Sequence, residues 1–301
     1  MSKLCEGRIV IVTGAARGIG REHALAFARE GARVVVNDLG TSVAGAGRSS
    51  APADELVQEI RQLGAEAVAN ADDIADFEGS ARLVQTAIDT FGGLDVVVNN
   101  AGFLQDRMFA SATEDEWDAV MRVHLKGHFC VSRHASSYFR AEAKAGKTRA
   151  GRIINTSSGA GLLGAVGQSA YSAAKAGIAA LTLVQAVELG RYGVTVNAIA
   201  PAARTRMTEV VFGEMMKEPE RGFDTMSPAN ISPLVVWLGS TAAQDVTGQV
   251  FELRGGEICV YQGWRPGPKV DKGARWAPGE LGPIVRDLVG RAVQPMRVYG
   301  A

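Results

Sequence analysis

Short apolar runs rich in Val and Ile alternate along this chain with longer stretches in which apolar residues recur every three or four positions. The runs predict strands over residues 8–13, 33–37, 67–70, 95–99, 152–156, 195–200 and 249–253. Helices are predicted between them, among them 20–30, 54–63, 79–91, 114–143 and 170–191. Such alternation puts parallel strands in one sheet joined by crossover helices. The strands are apolar on both faces, so helices are expected on both sides. The expected fold is α/β, a Rossmann-type doubly wound parallel sheet in a single domain.

Three stretches leave the alternation. Residues 40–52, rich in Gly, Ser and Ala, read as a surface excursion, and residues 144–151 as a solvated helix end and loop. From Gln262 the chain runs on with Trp264, Pro266, Pro268, Trp276, Pro278 and Pro283, too rich in Pro for a sheet, with one short helix predicted over 284–293. Residues 1–261 are therefore expected to be the domain. Residues 262–301 are a C-terminal extension whose two Trp dock on their own or a neighbouring subunit.

The 301 residues are enough for one large α/β domain, and 32 basic residues balance 32 acidic ones. This balance gives no reason to expect nucleic acid or a membrane as partner. Cys5, Cys130 and Cys259 are widely spaced and suit a reducing compartment. No apolar run approaches the ~18 residues of a spanning helix, and no signal segment or C-terminal targeting motif is recognised. A cytoplasmic protein is expected.

Thr13–Gly20 reads TGAARGIG, between the first strand and a helix. Gly14 allows a sharp turn, and Gly18 and Gly20 let the backbone approach a pyrophosphate. The helix start at Ile19 offers free N–H groups and a positive dipole end. Asp38 ends the second strand, where a carboxylate can accept from ribose hydroxyls and repel a 2′-phosphate, which favours NAD over NADP. Arg17 points the other way. Asn99-Asn100-Ala101-Gly102 follows the fourth strand with residues small enough to leave room for a cofactor, and Asn99 can tie strand ends together.

Tyr171 and Lys175 lie one helical turn apart and meet on one face. A free phenol ionises near pH ~10. A neighbouring ammonium favours the phenolate, which makes Tyr171 a general base for alcohol oxidation and a general acid for ketone reduction. Ser158, just past the fifth strand, can hydrogen-bond a substrate oxygen. Adjacent Ser157 is the rival, and spacing from Tyr171 selects Ser158.

With these motifs together the chain resembles the short-chain dehydrogenase/reductases, over residues 7–253 and including Pro201. The resemblance implies a seven-stranded sheet, a nicotinamide cofactor, a small-molecule substrate and a homotetramer (or homodimer) paired through helices 114–143 and 170–191. It also places Asp73, Ile74, Pro201 and Thr205 at the cofactor. The run Pro201-Ala202-Ala203-Arg204-Thr205 departs from the family pattern, with Ala after the Pro and one residue fewer before the hydroxyl. His124 stands where most of the family has Asn, implying a place in a proton relay behind the lysine and a group that can titrate. A narrower likeness rests on Val34–Gly40, Gln105-Asp106-Arg107 with Trp117, Arg122–Leu125, 204–211, Phe212 and 248–251. It is to the 3-hydroxyacyl-CoA dehydrogenase branch, found in peroxisomal multifunctional enzymes of type 2 and in single-domain actinobacterial relatives that act on acyl-CoA or steroid-CoA thioesters.

His124, His128 and His134 could suggest a metal, but the sequence places no carboxylate or Cys partner, and no metal is expected. Met207, Met215, Met216 and Met226, with Phe212 and Phe223, suit either a substrate lid or a core-covering helix. Arg204 and Arg206 face CoA phosphates or water. The expected activity is NAD-dependent oxidation of a secondary alcohol, first of all a 3-hydroxyacyl-CoA. The rivals are a hydroxysteroid or general alcohol dehydrogenase needing no CoA, and a cofactor-binding scaffold or sensor without turnover.

Overall fold

The computed structural model describes residues 3–41, 47, 49–147, 149–205, 208, 213–293, 296 and 298, with the backbone alone at 214 and 215. Its strands are β1 (Ile9–Thr13), β2 (Arg33–Asn37), β3 (Ala67–Asn70), β4 (Val96–Asn99), β5 (Arg152–Thr156), β6 (Thr195–Ala202), β7 (Val250–Arg254) and β8 (Glu257–Tyr261). The helices are α1 (Gly18–Arg29), α2 (Ala51–Gln62), α3 (Phe77–Phe91), α4 (Glu114–Met121), α5 (Gly127–Lys144), α6 (Gly159–Leu163), α7 (Ser169–Leu189), α8 (Ser232–Gly239) and α9 (Leu281–Arg291).

One sheet runs in the order β3-β2-β1-β4-β5-β6-β7-β8. All neighbouring pairs are parallel except β7 with β8. Alternation along each strand divides the core in two. Val10 and Val12 of β1 pack with Leu25 and Phe27 of α1, Leu56 and Ile60 of α2, and Val235 and Leu238 of α8. Ile9 and Ile11 point the other way, to Leu83 of α3, Val131 and Phe139 of α5, and Leu189 of α7. The doubly wound expectation is met. Strand order reverses beside β1, whose neighbours are β2 and β4. A crevice therefore opens beyond the carboxyl ends of β1 and β4.

Three differences from the sequence reading have physical causes. The expected seven strands gain an antiparallel eighth. Gly255-Gly256 forms a two-residue hairpin with Gly255 at φ +56°, a conformation that suits Gly, and folds β8 back on β7. The helix predicted over 114–143 is interrupted by a π-helical turn at Arg122–Lys126 between α4 and α5. A bulge of this kind cannot be seen in apolar periodicity. Finally, Ser169–Tyr192 is long and apolar enough to cross a bilayer by length and composition, which corrects the expectation that no stretch comes close. One face of it packs into the fold, with Ala174, Ile178, Thr182, Ala186 and Leu189 buried, while Leu183, Val184 and Val187 stay exposed.

Past Tyr261 the extension makes the short helix α9, close to the expected span. Trp264 is fully exposed on this chain, and Trp276 lies under Lys272 of the same extension.

Candidate active site

Gly14 and Asn100–Gly102 follow the two strands that flank the crevice. A Cβ on Gly14, at φ +61°, would come within 2.7 Å of Ala101 Cα, and one on Gly20 within 2.2 Å of the Gly14 carbonyl oxygen. Only Gly permits so close an approach. Asn100 fixes the turn: its Nδ2 donates to Thr13 O at 3.0 Å and Gly14 O at 3.1 Å. Ile19 leans on the core. Helix α1 starts at an extended Arg17 with no side chain capping it and no acid in its first turn, so its first N–H groups are left for an anion.

Asp38 stands beside this turn. Its Oδ2 accepts from Ala16 N at 2.9 Å and its Oδ1 from Gly40 N at 2.7 Å. A carboxylate retains further lone pairs for ribose hydroxyls. Arg17 reaches Thr41 O at 3.5 Å, in the loop beyond Asp38. Thr205 lies across the turn, its methyl 3.7 Å from where a Gly18 Cβ would stand, and its hydroxyl pairs with Thr208. Pro201 sits near the end of β6 opposite Leu253. Asp73 accepts from Ala75 N and pairs with Arg122. The Ile74 side chain goes into the core over Gly127. The uncapped helix start, the closed glycine cradle and the Asp38 carboxylate fit a dinucleotide.

Tyr171 and Lys175 share a face of α7, with the ammonium 5.6 Å from the phenol ring centroid. Lys175 is buried and donates to Thr156 O at 2.7 Å. Burial lowers its pKa from 10.5 to about 7. Gly161 makes room for it, since a Cβ there would meet Lys175 Cβ at 2.5 Å. The two serines separate cleanly. Ser157 donates its hydroxyl to Lys175 O at 2.8 Å and is committed to the helix. Ser158 caps α6 by accepting from Ala160 N at 3.2 Å, which leaves its own proton to donate.

His124 comes from the π turn. Its Nε2 lies 2.7 Å from Phe103 O, and its ring meets Tyr171 edge-on at 5.2 Å. Gly102 is needed for this: a Cβ there would be 2.4 Å from His124 Cε1. Burial, and then the Lys175 charge, lower the His124 pKa to about 3. The ring is thus neutral near pH 7. His134 instead packs on Phe77, and among the described residues no three His, Cys, Asp or Glu converge on a metal position.

One residue of the site carries no sequence signal. Thr156 serves through its carbonyl, which any residue would provide. Asn99 ties β4 to β5 and α5 as expected, donating to Asn155 Oδ1 and Ser132 Oγ, both at 2.9 Å. In the suggested lid, Met216 is buried and Phe223 exposed. Arg206, Met207 and Phe212, with 209–211, lie outside the described residues, as does the Met215 side chain. Arg204 is engaged by Asp224 and by Met216 O, a third destination beside the two expected for it.

The family model for short chain dehydrogenases matches residues 8–215. Hydroxyacyl-CoA dehydrogenase ChsB1 of Mycobacterium tuberculosis is 46% identical over 288 residues, covering 93% of this chain and 88% of that protein. Peroxisomal multifunctional enzyme type 2 of Mus musculus is 45% identical over 253 residues, 84% of this chain, which spans 32% of that longer protein. The crystal structure of a short chain dehydrogenase from Mycobacterium avium, 60% identical, superposes with a TM-score of 0.89 over 99% of this chain and 100% of that one.

Proposed function

The chain belongs to the short-chain dehydrogenase family, and from that premise we propose that it is an NAD-dependent dehydrogenase for the secondary alcohol of a 3-hydroxyacyl-CoA. The carrying observation is the pairing of Tyr171 with buried Lys175 on one face of α7. A bound nicotinamide supplies the hydride acceptor. The protein's own groups handle the proton and the oxygen. Tyr171, favoured as phenolate by the ammonium, takes the hydroxyl proton as the carbinol C–H bond breaks and the C=O bond forms. Ser158 donates to the same oxygen. In the reverse direction Tyr171 returns the proton.

The CoA thioester class is supported by the naming of ChsB1 as a hydroxyacyl-CoA dehydrogenase. The test is NADH formation from a panel of 3-hydroxyacyl-CoAs, steroid-CoA thioesters included. Arg204 is already paired with Asp224, so free hydroxysteroids belong in the panel. Turnover of these alone moves the assignment to a CoA-independent alcohol dehydrogenase.

Asp38 carries the preference for NAD. Asp38→Ala is expected to lower the ratio of kcat/KM with NAD to that with NADP by about 100-fold, roughly two charge-assisted contacts' worth of discrimination. The change on NAD comes from the ribose hydroxyls losing their acceptor. An unchanged ratio removes Asp38 from cofactor selection.

We further infer a homotetramer or homodimer, paired through α4, α5 and α7. Its support is the exposed apolar set Trp117, Phe129, Leu183, Val184 and Val187 on those helices. The extension with its exposed Trp264 is assigned to a neighbouring subunit.

A further inference from the structure

His128 has no part in the reaction as described, yet it is a fully buried titratable group beside the reaction centre. It lies one turn after His124, near the start of α5. Its Nε2 accepts from Thr156 N at 3.3 Å. Thr156 is the last residue of β5, and Asn99, whose carbonyl faces the imidazole, is the last of β4. The β4–β5 ladder begins with Arg152 N on Asp95 O and runs out at this point. By the alternation of that ladder Thr156 N also turns toward Asn99 O, and the α5 side chain shares the Thr156 amide with it.

The other end of the same residue matters for chemistry. Thr156 O accepts from Lys175 Nζ at 2.7 Å. One residue is thus gripped at its N–H by His128 and at its C=O by the lysine. We propose that His128 is a positioning residue for Lys175: by holding Thr156 N it sets the place of the Thr156 carbonyl, and through it the height of the ammonium beside Tyr171. This rests on the dehydrogenase reading of the site.

A plain packing role would be filled better by an apolar residue, because a buried imidazole costs desolvation. The ring is kept neutral, its pKa lowered well below 6.5 by burial first and by the Lys175 charge after. A neutral ring keeps one nitrogen as an acceptor, which is what the Thr156 amide needs; a protonated ring would have none. The titratable groups around it are Lys175 from α7 and His124 from the π turn, with Tyr171 beyond them. β4 and β5 bring Asn99 and Thr156, which do not titrate. The ring's Nδ1 is buried, and the backbone of His124 as well as of Asn99 faces the imidazole.

The test compares His128→Leu, which removes the acceptor, with His128→Gln, which restores one. Wild-type turnover is measured first, and Tyr171→Phe serves as the control. If Tyr171→Phe is as active as wild type, the reaction assignment fails, and the His128 comparison is then not what has failed. With that control inactive, His128→Leu is expected to lose at least tenfold in kcat and to move the ionisation in the kcat/KM–pH profile by at least half a unit. NAD affinity and the circular dichroism spectrum should stay at wild-type values. His128→Gln should recover most of kcat and return the profile. A wild-type profile in His128→Leu overturns the proposal, and so does equal impairment of both variants with no displacement of the ionisation. If His128→Leu does not fold, His128→Ala takes its place with the same two outcomes.

Discussion

Tyr171→Phe is expected to cut turnover by about 1,000-fold or more while leaving NAD affinity within about threefold of wild type, in line with the weight of a positioned acid–base group. The benzyl ring is retained, so its edge-on packing against His124 survives. Lys175 keeps its bond to Thr156 O, and Ser158 keeps its place at the start of α6. Only the proton acceptor goes. Stopped-flow NADH formation and titration of cofactor fluorescence measure the two quantities separately. A rate within about tenfold of wild type is incompatible with Tyr171 as the base. Loss of NAD binding with loss of turnover means that the phenol was chiefly a cofactor contact. The sensor reading expects no turnover from wild type at all.

The legibility of this molecule in its sequence followed from which atoms do the work. Strands β2 and β5 fall on the predicted residues because buried parallel strands carry β-branched runs with sharp ends. Gly14 and Gly20 were legible because only one residue type survives a 2.7 Å or 2.2 Å approach. Tyr171 and Lys175 were legible because helical spacing turns sequence distance into contact. The role of Ser157 was not, since two adjacent serines differ only in where the next turn of chain points them. Thr156 was invisible because its carbonyl acts, and His128 because its partner is a backbone amide remote in sequence. The π turn that seats His124 leaves no mark on apolar periodicity. The hairpin of β8 was in plain view as Gly255-Gly256 between apolar runs.

Lys175→Met should separate catalysis from stability in opposite directions. Methionine keeps most of the apolar stem and removes the charge, so the support for the Tyr171 phenolate goes and kcat is expected to fall about 100- to 1,000-fold. The folded protein, by contrast, should gain. Burial has lowered the lysine from 10.5 to about 7. Between those two values the unfolded chain binds more protons than the folded one, so wild-type stability rises with pH across the window. Below about pH 7 both states are protonated, and the penalty of holding the ammonium in the interior is present in full. At about 1.4 kcal/mol per unit it is on the order of 5 kcal/mol at most. The variant leaves Thr156 O without its donor, which returns about 1–3 kcal/mol. A net gain of a few kcal/mol is therefore expected at pH 6, shrinking as pH rises and absent by about pH 10.5, where only the lost hydrogen bond counts. Denaturant midpoints of the two proteins, taken at pH 6 and pH 10, measure the difference. A variant less stable than wild type at pH 6 would mean that the interior around Thr156 O solvates the ammonium well. Lys175 would then be no strained charge, and its nearness to Tyr171 would cost the fold nothing.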